Sequence, residues 1–173
     1  MYTPQTKPIP ADWRLTTLAN LAAARANVLR QFRGLSADSI NSTVSGAWTA
    51  KDMLPHIAYW DAFHADCLAK VLHNTPQSIH INANSQQLAD ENEQVRLRHQ
   101  STPLEQAWAM GLKERGGFLA SVKRLTDEEL FTQITLSDGR TIYPYEWVER
   151  HVIHDTAHAA ELAAWRETLH ADA

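Results

Sequence analysis

Cysteine is nearly missing from this chain. Cys67 is the one thiol in 173 residues, so neither an intrachain disulfide nor a thiolate zinc cluster can form. A reducing cytoplasm fits that composition. No basic stretch followed by an apolar run opens the sequence at Met1-Tyr2-Thr3-Pro4, so no signal peptide is read there. No apolar run approaches membrane-spanning length. Neither charge sign forms a long run: 16 basic and 20 acidic residues give a formal net charge of −4, which argues against a nucleic-acid partner. Internal repeats and low-complexity segments are missing too, and strand-like alternation is almost absent. What remains is an ordinary globular composition, 44% hydrophobic and 21% charged. The length suits one domain over residues 1–173 with a real core.

What the chain does have is helical periodicity. Residues 1–11 hold three of the seven prolines and read as an extended arm. A first helix is predicted from about Asp12, as N-cap, to Phe32. Its stripe is Leu18, Leu21, Ala22, Arg25, Val28, Leu29 and Phe32, interrupted by that one arginine. Gly34 is placed to stop it. Residues 35–48 form a connector, with turn material at Ser36-Ala37-Asp38. A second helix starts at Thr49, with Asp52 completing a capping box. Met53, Ile57, Trp60, Phe63, Cys67, Leu68 and Val71 form its stripe, and His56 lies on the edge. Pro55 falls inside this helix, where it removes a backbone bond and should bend the axis.

Residues 73–84 read as a loop and 85–99 as a polar, helix-prone segment. Thr102 is expected to cap a third helix, with Pro103 at its first position and Glu105 closing the box. That helix runs to about Leu125 through Leu104, Trp108, Leu112, Leu119 and Val122, and Gly116-Gly117 within it suits close packing. Thr126 to Glu129 is a further capping box. A small hairpin is expected around Asp138-Gly139. Pro144 opens the fourth helix, which ends near Leu169.

These elements predict an all-α protein, a four-helix bundle with a small hairpin before the last helix. The first connection is short enough for antiparallel neighbours. The second, nearly thirty residues long, crosses the bundle and starts the third helix parallel to the second. The fourth then returns antiparallel to both.

The fourth helix carries the chemistry. His151, His154 and His158 fall within eight residues. With Trp147, Glu161 and Trp165 they form one stripe at steps of four and three. His154 and His158 lie about 6 Å apart along the axis, close enough to converge on one metal ion. His151 with His154 is also possible, whereas His151 and His158 are about 10.5 Å apart and are not favoured. Facing helices of a bundle pool metal ligands. If the second and fourth helices are antiparallel, His56, early on its helix, meets the later part of the last one. That favours His154 and His158 as its partners. A site of His56, His154 and His158 leaves a position open, as catalytic sites do. Imidazole suits zinc, nickel, iron or copper.

The segment Gly46-Ala47-Trp48-Thr49-Ala50-Lys51-Asp52-Met53-Leu54-Pro55-His56-Ile57 resembles the second-helix signature of the DinB-like (YfiT-like) superfamily. The run from His154 through His158 to Glu161, Trp165 and Arg166 resembles its fourth-helix signature. The likeness spans nearly the whole chain in order and spacing. It implies a four-helix bundle with a long crossover and a divalent metal, zinc or nickel first, on the three histidines. It also implies homodimers, and activities that use low-molecular-weight thiols such as bacillithiol and mycothiol. Two positions depart from the pattern: Glu161 stands where many relatives have glutamine, and Pro55 occupies an unexpected helical position.

His151, Trp60 and Trp165 are candidate pocket residues, and Glu161 is a candidate general base or partner of a ligand. Asp52 is explained by capping, Asp61 and Asp155 by solvent exposure, Cys67 by the core. His64, His73, His80, His99 and His170 are assigned no chemical role. The expected activity is that of a metal-dependent enzyme of small electrophilic compounds, a thiol S-transferase, with a small-molecule substrate. A metal-dependent hydrolase and a non-catalytic metal- or ligand-binding bundle are the other readings.

Overall fold

The computed structural model describes residues 5–171. They form seven α-helices: α1 Trp13–Gln31, α2 Ala37–Ile40, α3 Ala50–Leu72, α4 Ser85–His99, α5 Leu104–Arg124, α6 Asp127–Phe131 and α7 Pro144–Ala171. Two small antiparallel hairpins complete the fold. Strands β1 (Thr43–Ser45) and β2 (Trp48–Thr49) pair before α3, and β3 (Ile134–Thr135) and β4 (Thr141–Ile142) pair before α7. Gly139, at φ +84°, takes the left-handed position that closes the second hairpin.

The four long helices α1, α3, α5 and α7 are the bundle. Cross-helix bonds fix their directions. Trp13 bonds Glu149, Arg25 bonds Asp155, and Arg166 bonds the Gln31 carbonyl, so α1 and α7 run parallel. Lys51 bonds the Gln100 carbonyl and Asp61 accepts from Arg115, so α3 and α5 run parallel. His64 meets His151 whereas the earlier His56 meets His154, so α3 and α7 are antiparallel. The crossover between α3 and α5 contains α4, which packs on α3 and buries only Val95 fully.

Local chemistry sets most element starts. Thr49 and Asp52 make the expected capping box on α3, and Thr126 and Glu129 make one on α6. The helix α3 continues through Pro55. Other expectations are corrected. Asp12 precedes α1 in a left-handed conformation and makes no side-chain cap bond. Pro103, not Thr102, is the cap residue of α5, and no side chain caps it. Ser36 caps a short helix where a turn was expected. Leu112 is 67% exposed, and α5 instead buries Ala107, Arg115, Phe118 and Val122. In α1, Ala24 is buried and Ala22 is exposed. A Cβ added at Gly116 or Gly117 would meet nothing within 4 Å, so neither glycine serves close packing.

The core has two apolar halves. One gathers Trp13, Leu21, Cys67, Leu68, Phe118, Val122, Trp147 and Val148. The other gathers Val28, Phe32, Leu54, Ile57, Ala107, Leu162 and Trp165. Between them lies a polar layer built from one residue of each long helix. The extended arm is tied down where it is described: Thr6 bridges Thr132, and the Lys7 amide bonds the Phe131 carbonyl. Residues 1–4 of that arm, and the side chain of His170, lie outside the described residues.

Candidate metal centre

The capping box fixes the first turn of α3, and His56 follows one turn later. α7 supplies His154 and His158 from successive turns of its inward stripe. Nε2 of His154 lies 3.0 Å from Nε2 of His56 and 3.1 Å from Nε2 of His158. One ring nitrogen from each of the three lies within 4.8 Å of the others. Each such nitrogen holds either one proton or one lone pair. His154 Nε2 therefore cannot donate to one neighbour and accept from the other. Two nitrogens bound to one tetrahedral ion at the usual zinc distance would sit about 3.3 Å apart. The donor set thus fits a divalent ion.

Burial supports the same conclusion. It drives His56 down to about 3 and His154 down to about 2, and in both cases the neighbouring His158 imidazole adds to the effect. Both rings are neutral at physiological pH, which is the metal-binding form. Glu161 Oε2 lies 3.2 Å from Nδ1 of His158. Nδ1 of His56 and of His154 are sealed and have no hydrogen-bond partner among the described residues.

Two cavities flank the cluster. The larger, about 700 Å³, is lined by His56, His154 and His158, by the apolar walls Trp60, Phe63, Leu88 and Trp147, and by His64 and His151. The smaller, about 350 Å³, is lined by Trp48, Met53, Asn92, Glu161 and two of the same histidines. Segment 81–92 roofs both cavities, held to α3 by Tyr59 donating to Glu91 and Trp60 donating to Asn92. Of the residues singled out from sequence, the structure brings His56, His154, His158, Trp60 and His151 to the larger cavity and Glu161 to the smaller. Trp165 reaches neither. It is buried in the second apolar cluster, near Phe32 and Leu162, more than a turn beyond His158.

Sequence reasoning missed the layer behind the cavity. Asp61 and Asp155, expected at the surface, are fully buried. Arg25 donates to Asp61 Oδ2 at 2.8 Å and to both oxygens of Asp155 at 3.1 and 3.2 Å. Arg115 donates to Asp61 Oδ1 at 3.0 Å and to Asp155 Oδ2 at 2.6 Å. The four charges form a closed, neutral ring across α1, α3, α5 and α7. Burial raises the Asp61 carboxyl above its ordinary value, and the two guanidiniums offset only part of that rise. Since each of its oxygens accepts a guanidinium bond, the ionised form is the one the ring is built for. The sequence signal was an arginine in each of two otherwise apolar stripes.

His64 was also missed. It is buried, and its Nδ1 lies 2.9 Å from Nε2 of His151. Nδ1 of His151 in turn approaches Asp61 Oδ1 at 3.2 Å, in a contact too bent to count as a hydrogen bond. Burial lowers His64 to about 4, with Arg150 adding and the Trp60 carbonyl opposing, and it lowers His151 well below its ordinary value.

No family model and no curated protein matches the sequence. Solved structures do match. YfiT from Bacillus subtilis, described as a probable metal-dependent hydrolase with an unusual four-helix bundle topology, superposes with a TM-score of 0.71 at 15% identity, over 97% of this chain and 93% of its own. The mycothiol-dependent maleylpyruvate isomerase superposes with a TM-score of 0.69 at 11% identity, over 86% of this chain, which spans 60% of the isomerase. TT2238, a four-helix bundle protein, gives 0.59 at 18% identity, over 86% of this chain and 97% of its own. The chain shares the fold of the DinB-like, YfiT-like four-helix bundles.

Proposed function

We propose that this protein is a metal-dependent enzyme of small electrophilic compounds, with a divalent ion, zinc or nickel, held by His56, His154 and His158. The convergence of three Nε2 atoms at the edge of a cavity carries this proposal. Three protein ligands leave a coordination position for another group. An ion there would supply Lewis acidity and keep a thiol sulfur in its anionic, nucleophilic form near neutral pH. The chain's own part is to hold three neutral imidazoles in place, to keep water from the apolar walls and to admit an organic molecule beside them. Transfer of a low-molecular-weight thiol is favoured because Glu161, the candidate general base, is engaged by His158. Hydrolysis is the second reading, supported by the near-complete overlap with a probable metal-dependent hydrolase.

A cytoplasmic setting and a homodimer accord with this proposal, as does a small-molecule partner; no described helix is long and apolar enough to cross a membrane. Elemental analysis of protein purified without an affinity tag tests the metal. Assay of the zinc-loaded protein with mycothiol and bacillithiol against alkyl and aryl halides tests the reaction. Thiol consumption supports transfer. Ester cleavage without thiol supports hydrolysis, and bound metal with neither supports a non-catalytic binding bundle.

A further inference from the structure

The larger cavity has a second polar end. His64 follows His56 by eight residues on α3, about 12 Å along the axis. It lies among Phe63, Trp60 and Trp147, with ring centroids 5.2, 5.9 and 6.0 Å away. This end of the cavity is aromatic, and the proposed metal lies at the other.

The partners of His64 determine its tautomer. The Asp61 carboxylate lies 3.2 Å from Nδ1 of His151, and although the contact is too bent for a hydrogen bond, its negative charge favours the proton on that nitrogen. A neutral imidazole has one proton, so His151 Nε2 presents a lone pair. His64 Nδ1, 2.9 Å away, must therefore donate to it. That leaves His64 Nε2 with a lone pair. The sealed nitrogens that lack partners are Nδ1 of His56, His151 and His154. His64 Nε2 is not one of them, and the ring lines the cavity; the Trp60 carbonyl, one turn back on α3, is a further acceptor for the ring's proton. The opposite tautomer chain would aim a lone pair of His151 at a carboxylate.

We infer that His64 is a recognition residue. Donation of its Nδ1–H to His151 leaves its Nε2 as a hydrogen-bond acceptor, and the cavity selects ligands whose aromatic or apolar body carries a hydroxyl, thiol or N–H donor at the end away from the histidine triad. An acceptor buried among aromatic rings rejects a ligand without a donor, because the lone pair is then left unsatisfied. No step of this inference requires the metal, and it can fail while the metal assignment stands.

Two measurements test it. Long-range proton–nitrogen correlation spectra of the whole protein read the imidazole tautomers directly. The expected result is the Nδ1–H form at His64 and at His151. The Nε2–H form at His64 overturns the inference. The second measurement compares phenol with toluene as probes, by shift titration of the parent and of His64→Phe. The ratio of phenol to toluene affinity should fall about fivefold in His64→Phe, the worth of roughly one hydrogen bond. Zinc affinity, unchanged in that variant, would show that it is folded. His64→Gln, which can accept through its amide oxygen, should keep part of the preference. An unchanged ratio in His64→Phe, or no binding of either probe to the parent, overturns the inference.

Discussion

Glu161 Oε2 sits 3.2 Å from Nδ1 of His158, one turn earlier on the same helix. A carboxylate behind a ligand imidazole fixes its ring orientation and raises its basicity. Glu161 is thereby a positioning residue of the proposed metal centre, on the side of the ring away from the cluster.

Glu161→Ala should therefore weaken zinc binding by about ten- to a hundredfold. Glu161→Gln should lose less, because the amide oxygen can still accept from Nδ1. Competition titration against a chromophoric chelator reads both. Equal affinity in the parent and in Glu161→Ala would remove Glu161 from the site.

The charged ring predicts an asymmetry in stability. Asp61 and Asp155 are fully buried, and each accepts from both Arg25 and Arg115. Removing one member leaves charges buried and unpaired, so Asp155→Asn or Arg25→Met should cost about 3–5 kcal/mol. The double variant Arg25→Met, Asp155→Asn restores charge balance and should lose less than the sum of its parts. Urea unfolding of the three variants measures this. Strict additivity would mean that Arg25 and Asp155 are not coupled.

Much of the bundle was legible in sequence because its signals are local. Thr49 with Asp52, and Thr126 with Glu129, declare helix starts within four residues. The His56, His154 and His158 grouping came from helical spacing, one inference of helix direction and the resemblance of both segments to family signatures, and the cross-helix contacts show that direction. The ring was not legible, because a lone aspartate on a helix looks the same whether it faces water or a guanidinium from a helix distant in sequence. His64 was passed over for the same reason: its partner lies 87 residues away. Leu112 failed in the opposite sense. Its place on the apolar stripe of α5 is taken by Arg115, whose charge is needed inside.

The buried imidazoles make the metal-free protein acid-sensitive. An unfolded histidine takes up a proton below about pH 6.5. His56, His154 and His64 take theirs up only near 3, 2 and 4 in the fold. Between those values the unfolded state binds more protons, so stability falls as pH falls. The loss begins near pH 6.5 and steepens toward pH 4, at up to about 1.4 kcal/mol per pH unit for each group. Thermal unfolding of metal-free protein between pH 8 and pH 4 should show this decline, and His64→Phe should make it shallower. A flat profile would mean that these rings take up protons in the fold as readily as in the unfolded chain.

The last expectation separates the two histidine pairs of α7. His151 and His154 are three residues apart, and His154 and His158 four, so spacing alone permits either pair beside His56. The atoms distinguish them. His158 Nε2 points at His154 Nε2 from 3.1 Å, inside the cluster. His151 turns Nε2 to His64 and Nδ1 toward Asp61, so neither nitrogen faces the cluster. Zinc should raise the melting temperature of the parent, since it binds only the folded state. His158→Ala should weaken zinc binding by orders of magnitude and abolish that rise. His151→Ala should lower stability by about 1–3 kcal/mol, because it leaves the His64 donor unpaired, yet leave zinc affinity nearly as it was. Calorimetric titration of both variants decides it. If His151→Ala proves the more damaging to zinc binding, the metal lies a turn earlier on α7 and the assignment of His158 falls.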